Sequence, residues 1–349
     1  MRVMQTCTLT MCSGRPPARR RQLSRLGNAS LNCSAVVVGM LPSDAIPAAP
    51  DRYTCLPACD KDVGDTRQSS FAPLFRHHVS HTPRKRFGQH FLTDPDVIAA
   101  IVRAIAPRPD DAMIEIGPGL GALTAPLIEQ LTHLHAVEID RDVIATLRRR
   151  HDQTRLTVHQ GDALAFDFGA LAATCGARLR VVGNLPYNIS TPLLFHLAGF
   201  ASSVVDCHFM LQREVVERMV ARPGGRDYGR LSVMLQYRFT MEHQFDVPPE
   251  AFDPPPRVDS AIVRMLPRPA TERLARDEGL LGEVVTQAFG QRRKVLRNTL
   301  KGRATAGQLE AAGISPAARA EEIALENYVA LANLLGRAGQ EPAPGESAK

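Results

Sequence analysis

Ala112-Met-Ile-Glu-Ile116 is a short apolar strand pattern that runs straight into Gly117-Pro-Gly119-Leu-Gly121 and then a helical stretch through Leu131. A strand, a glycine-rich turn and a helix in that order leave few architectures open. The glycines let backbone approach a nucleotide-like ligand closely, and the helix carries the chain back for another strand. That strand is read at Leu134 to Ile139, ending in Glu138-Ile-Asp140. An acid about 20 positions past the first glycine is placed to grip both hydroxyls of a ribose. Gly117, Gly119 and Ala122 also satisfy G-x-G-x-x-G/A, so a dinucleotide enzyme accounts for these residues equally well.

The alternation continues beyond this unit. Leu156 to His159 reads as a third strand delivering Gly161-Asp162-Ala163, where Asp162 suits either the amino group of an adenine or a plain Asx turn. Val181 to Gly183 is a fourth strand. Helices are expected at Thr191 to Gly199, Arg213 to Ala221 and Tyr228 to Gln236, with strands at Val204 to Leu211 and Ala261 to Leu266. Strands alternating with helices require an α/β fold, a mostly parallel sheet covered on both faces. Ligands in such sheets bind beyond the carboxyl ends of the strands. There the fourth strand places Asn184-Leu185-Pro186-Tyr187. Leu185 precedes a proline and is biased to extended backbone, so its carbonyl and the Asn184 side-chain oxygen can point the same way. Two acceptors then converge on one amino group, and Tyr187 offers a ring on which a flat base can stack. An ordinary strand-to-loop turn would use the same residue types. Phe252, in a proline-stiffened loop from Val247 to Ser260, is either core or a second ring facing Tyr187 across a slot.

The ends have a different character. Residues 1–83 show no sustained helical or strand period and are expected to be disordered. They hold 10 of the 42 Lys and Arg, 5 of the 36 Asp and Glu, and five of the seven cysteines. The net charge of +6 therefore belongs almost wholly to this segment, and any nucleic-acid argument has to rest on local clusters. Its Arg-rich, acid-poor start suits an organellar transit peptide or translation from an upstream start codon. Cys55 and Cys59 lack a matching pair at zinc spacing, so no metal is expected, and no apolar run is long enough to span a membrane. Asp94 and Pro95 start a helix whose core face is Val97, Ile98, Ile101, Val102 and Ile105. After the linker Pro267-Arg-Pro269 the pattern is helical through Leu300, and the same helix carries Arg292, Arg293, Lys294, Arg297 and Lys301, a face suited to phosphates. This divides the chain into an extension (1–83), an α/β domain (84–267), a small all-helical domain (268–337) and a frayed tail (338–349).

Taken as an ordered set, Phe87-Gly-Gln-His-Phe-Leu92, Glu115-Ile-Gly-Pro-Gly-Leu-Gly121, Glu138-Ile-Asp140, Gly161-Asp-Ala163, Asn184-Leu-Pro-Tyr187, the Phe252 loop and Phe289-Gly-Gln-Arg-Arg-Lys294 closely resemble the ribosomal RNA adenine dimethyltransferase family, and within it the bacterial small-subunit (16S rRNA) branch. The resemblance implies a Rossmann-like class I methyltransferase sheet. It implies transfer of methyl groups from S-adenosylmethionine to N6 of two adjacent adenosines near the 3′ end of small-subunit rRNA, in an immature 30S particle, by a cytoplasmic and monomeric enzyme. Donor contacts then fall to His90, Leu92, Gly117, Gly119, Glu138, Asp162 and Asn184. The target base falls to Asn184, Leu185, Pro186, Tyr187 and Phe252, and RNA to Arg292, Arg293, Lys294 and Arg297. His90 departs from the family, which most often has Asn there, and the long leading segment is a second departure. A methyltransferase acting on large-subunit rRNA and an assembly or transcription factor on the same fold are the alternatives. The intact Asn184 motif argues for catalysis.

Overall fold

The computed structural model describes residues 90–338. The expectations for residues 1–83, for the Phe87-Gly-Gln start of the Phe87–Leu92 motif and for the last residues of the tail lie outside them. In chain order the elements are β1 (Phe91–Leu92), α1 (Pro95–Ile105), β2 (Met113–Ile116), α2 (Thr124–Gln130), β3 (Leu134–Glu138), α3 (Arg141–Arg150), β4 (Leu156–Gln160), α4 (Phe168–Cys175), β5 (Leu179–Asn184), α5 (Ser190–Gly199), β6 (Val204–Gln212), α6 (Arg213–Val220), α7 (Arg230–Arg238), β7 (Phe239–Val247), β8 (Phe252–Asp253), β9 (Ser260–Pro267), α8 (Glu278–Ala288), α9 (Leu296–Thr299), α10 (Ala306–Ala311) and α11 (Leu325–Ala338).

Seven strands form one sheet in the order β4-β3-β2-β5-β6-β9-β7. The first five run parallel, and β9 pairs antiparallel with both β6 and β7. Consecutive residues of the inner strands divide between two apolar layers. Ile114, Ile116 and Val181 pack on one face, Met113 and Val182 on the other. This is how a period-2 strand fills a sheet covered by helices on both sides. Caps set the helix starts. The Asp94 carboxylate accepts from the Asp96 and Val97 amides at α1, and Asp140 from Asp142 at α3.

Gly183 explains how β5 lies so close beside β2. A Cβ there would sit 2.5 Å from the Ile116 carbonyl oxygen, a clash with backbone that cannot move aside. Only glycine lets the strand carry Asn184 to the mouth of the glycine-rich turn.

The structure departs from the sequence reading in four places. Phe168–Cys175 is a helix, capped by Asp167 and ended by Gly176 at φ 64°, that the pattern did not reveal. Phe239–Val247 is an edge strand whose middle is exposed and polar, so it carries no apolar alternation. β1 and β8 form a separate two-stranded ladder, pairing Leu92 with Phe252. The helix after Asp277 stops at Ala288 rather than running to Leu300. Arg292, Arg293 and Lys294 therefore lie in the exposed connection between α8 and α9, and only Arg297 is helical. The break has a tertiary cause: the Leu296 and Arg297 amides donate to the Ala318 and Pro316 carbonyls, which captures the start of α9. The C-terminal helices share a third apolar cluster, with Tyr328, Leu296 and Val284 at its centre, that also takes Tyr228, Val233 and Tyr237 from α7 and its approach.

Candidate active site

The carboxyl ends of β2, β3, β4 and β5 converge on a cavity of about 280 Å³. Its walls include Gly117 and Gly119 of the turn after β2, Glu138 at the end of β3 and Ile139 beyond it, Asp162 after β4, and Asn184 at the end of β5 with Leu185 to Tyr187 beyond it. His90 and Leu92 close the side nearest β1. Every strand-end motif singled out in the sequence is thus brought to one opening, where the fold class places ligands.

Gly117 and Gly119 have φ of 65° and 54°, backbone that favours glycine. A Cβ on Gly119 would meet the Phe91 ring at 3.4 Å. The turn is a bare backbone cradle. Glu138 is only 7% exposed, and its Oε1 accepts from the Ile139 and Asp140 amides at 2.8 and 2.9 Å. Burial raises its pKa, and hydrogen bonds from the Asp140, Ile139 and Gly119 amides work against the rise. The carboxylate is therefore fixed with acceptor capacity left over. Ile139 beside it is 51% exposed, an apolar surface suited to one face of a purine. Asp162 is exposed, with Oδ1 accepting from the Leu164 amide at 2.9 Å. That is the Asx turn, with the second carboxylate oxygen still able to serve a ligand.

Glu115, quoted in the sequence only as part of the glycine motif, lines the same cavity. It is buried, accepts a 2.6 Å hydrogen bond from Thr124 Oγ1, and burial pushes its carboxyl up to about 7, with nearby Glu138 adding to the rise. Nothing in a single strand pattern distinguishes such a carboxyl from its neighbours.

On the other side, Asn184 Nδ2 donates to the His90 carbonyl at 3.3 Å. This turns Oδ1 away as a free acceptor. Leu185 is buried and its amide is spent on the Met210 carbonyl, at 3.1 Å. Tyr187 is half-buried, its ring facing the His90 ring with centroids 5.9 Å apart and planes 28° from parallel. His90 Nδ1 is 2.8 Å from the Pro254 carbonyl, so that nitrogen carries the proton and donates.

Phe252 does not line this cavity. It is 4% exposed and packs in the apolar layer with Leu92, Ile101 and Met210, away from the cavity wall. The ring opposite Tyr187 is His90. The cause is the β1·β8 ladder, which turns Phe252 inward to cover Leu92. Leu92 is itself mainly core and also lines the cavity. The basic residues Arg292, Arg293, Lys294 and Arg297 are all exposed, and Arg292 donates to the Arg226 carbonyl at 2.6 Å, which ties the loop down. Among the described residues no group of His, Cys, Asp or Glu is arranged to hold a metal, and no helix is long and apolar enough to cross a membrane.

Comparison with known proteins gives a consistent picture. A family model described as ribosomal RNA adenine dimethylase matches residues 80–337. The chain is similar to ribosomal RNA small subunit methyltransferase A of Chromobacterium violaceum, 62% identical over 255 residues, 73% of this chain and 96% of that one. The protein of the same name from Bordetella petrii is 60% identical over 263 residues, 75% and 99% of the two chains. Among solved structures, the 23S rRNA methyltransferase ErmE aligns with a TM-score of 0.54 and 26% identity over 70% of this chain and 99% of its own. A dimethyladenosine transferase from Plasmodium falciparum aligns with a TM-score of 0.60 and 24% identity, covering 72% and 98%, and speaks to the fold alone. The α/β sheet expected from the strand and helix alternation is thus the Rossmann-like sheet of methyltransferases.

Proposed function

The chain belongs to the ribosomal RNA adenine dimethylase family, and from that premise we propose that it dimethylates N6 of two adjacent adenosines near the 3′ end of small-subunit rRNA, with S-adenosylmethionine as donor. One observation carries the reading: a bare-backbone, acid-lined nucleoside cradle and the Asn184 acceptor share one cavity. The residues suit the donor. Gly117 and Gly119 leave room for its amino-acid part, Glu138 takes the ribose hydroxyls, and Ile139 and Asp162 take the adenine face and edge. Bound there, S-adenosylmethionine supplies an electrophilic sulfonium methyl.

The remaining work falls to the chain. The lone pair of adenine N6 is delocalised into the ring, so the amine is a weak nucleophile. Asn184 Oδ1 and the Leu185 carbonyl, accepting its two hydrogens, hold it pyramidal with the lone pair aimed at the methyl. Tyr187 stacks the base, and Pro186 keeps Leu185 extended. Once alkylated the nitrogen is acidic and loses its proton to water, so positioning and fixed dipoles carry the rate. The base has to leave its helix stack first, at a cost of a few kcal/mol that stacking on Tyr187 offsets. We place the RNA-binding cations in the α8–α9 segment and the reaction on an immature small subunit in the cytoplasm, with a monomeric enzyme, as the family resemblance implies. The test is methyl transfer from labelled donor to ribosomal subunits of cells lacking this protein. Label should enter small-subunit rRNA; incorporation into the large subunit alone would favour the other branch of the fold.

Two further outcomes follow from this site. Glu138→Ala should weaken donor binding by about 2 to 3 kcal/mol, roughly 30- to 150-fold, because hydrogen bonds to a charged group are removed. Methylation at saturating donor should largely recover, which calorimetry and initial rates together would show. Glu115 gives a pH dependence whose sign can be worked out. A carboxyl near 7 is partly protonated at neutrality, and a cationic donor favours its ionised form. Donor affinity should then rise as pH passes upward through about 7 and level off above it. The Glu115→Gln variant should flatten the curve in a calorimetric pH series.

The exposed basic segment gives a third. Replacing Arg292, Arg293 and Arg297 together should lower the log-log salt slope of RNA binding by roughly 0.9 for each phosphate no longer neutralised, with donor affinity unchanged. An unchanged slope would show these cations to be merely solvated.

A further inference from the structure

Tyr187 is held at three points, and two of them are buried serines. Its hydroxyl lies 2.6 Å from Ser260 Oγ, and its backbone carbonyl accepts from Ser190 Oγ at 3.1 Å. Ser260 is 0% exposed and Ser190 2%. The third point is the face of the ring, against His90, whose own ring is anchored on the Pro254 carbonyl. Ser260 starts β9, locked in register between Gln212 of β6 and Val247 of β7. The sheet itself therefore fixes the position of its hydroxyl.

We propose that Ser260 is a positioning residue for the target base: through the Tyr187 hydroxyl it sets the plane on which the adenine stacks, so the loop from Pro254 to Ser260 braces the slot. The inference rests on the reading that Tyr187 stacks the base. A tyrosine ring on a loop can turn about two side-chain bonds, and a base stacked on a turning ring gains little alignment with the methyl. Anchoring the hydroxyl to a strand removes that freedom before RNA arrives, and a loop placed by rigid elements is what accurate alignment requires. It also gives the proline-rich loop a use that Phe252, turned into the core, does not supply.

The experiment is a double-mutant cycle on Ser260→Ala and Tyr187→Phe, read as kcat/KM for small-subunit rRNA and, separately, as the dissociation constant for S-adenosylmethionine. Each single change should lower kcat/KM about 3- to 10-fold, the range for one neutral hydrogen bond, with donor affinity held within about twofold. The double variant should be no worse than the poorer single, because both delete the same bond. Ser260→Thr, which keeps a hydroxyl, should recover most of the rate. Losses that multiply in the double variant would overturn the proposal, as would a wild-type rate for Ser260→Ala. If Ser260→Ala does not fold, Tyr187→Phe decides alone, since it retains the ring and leaves the sheet untouched: the same 3- to 10-fold loss supports the brace, and a wild-type rate overturns it. A Tyr187→Ala variant with full activity would instead remove the underlying stacking role, a different failure from these.

Discussion

Asn184→Ala should slow methyl transfer by about 10²- to 10³-fold at saturating donor and RNA, the cost of deleting one preorganised polar group aimed at a reacting atom. The size follows from how little else can do its work. Leu185 contributes only a backbone carbonyl, its amide being spent on Met210. The Asn184 amide group is held by the His90 carbonyl, so Oδ1 is aimed before substrate binds. Asn184→Asp makes the sharper comparison. It keeps an oxygen at that place but loses the donor that anchors it and adds a charge, so it should recover only part of the rate. Single-turnover kinetics isolate the chemical step from product release. A loss of less than about tenfold for the alanine variant would mean that the Leu185 carbonyl and stacking suffice to activate the amine.

Phe252→Ala should act on stability before activity, destabilising the fold by about 3 to 5 kcal/mol, as removal of a buried phenylalanine ring does. Its ring fills the layer between the β1·β8 ladder and α1, where Leu92 and Ile101 would be left facing a void. Phe252→Leu, which refills most of the space, should be far milder and should keep methylation near wild type. Denaturant unfolding and methylation rates on the same samples separate the effects. A stable Phe252→Ala protein that binds donor normally but no longer methylates RNA would restore the ring to the base slot.

What could be read from the sequence was whatever local chemistry dictates. The glycine turn, the acid that ends β3 and the Asn184 motif each sit at a strand end, and the two periodicities placed those ends correctly. Side chains whose role depends on a distant partner were illegible. Phe252 is turned inward by pairing with Leu92, far away in sequence. Ser260 gains its meaning only from the Tyr187 hydroxyl, and Glu115 is unusual because the fold buries it, with Glu138 adding to the rise and the Thr124 hydrogen bond opposing it. The edge strand Phe239–Val247 escaped because an exposed edge needs no apolar alternation. The basic run read as one helix because its spacing allows one, while the carbonyls of Pro316 and Ala318 break it.

The most direct test of the proposed reaction is to locate the methyl groups. Immature small subunits from cells lacking this protein would be incubated with it and S-adenosylmethionine, and the rRNA digested and sequenced by mass spectrometry. The expected product is N6,N6-dimethyladenosine at two adjacent positions near the 3′ end, absent from untreated particles and from particles treated with Asn184→Ala for the same time. Methylation at a different atom or confined to another region of the rRNA, or none from an enzyme that binds the donor, would contradict the proposed reaction.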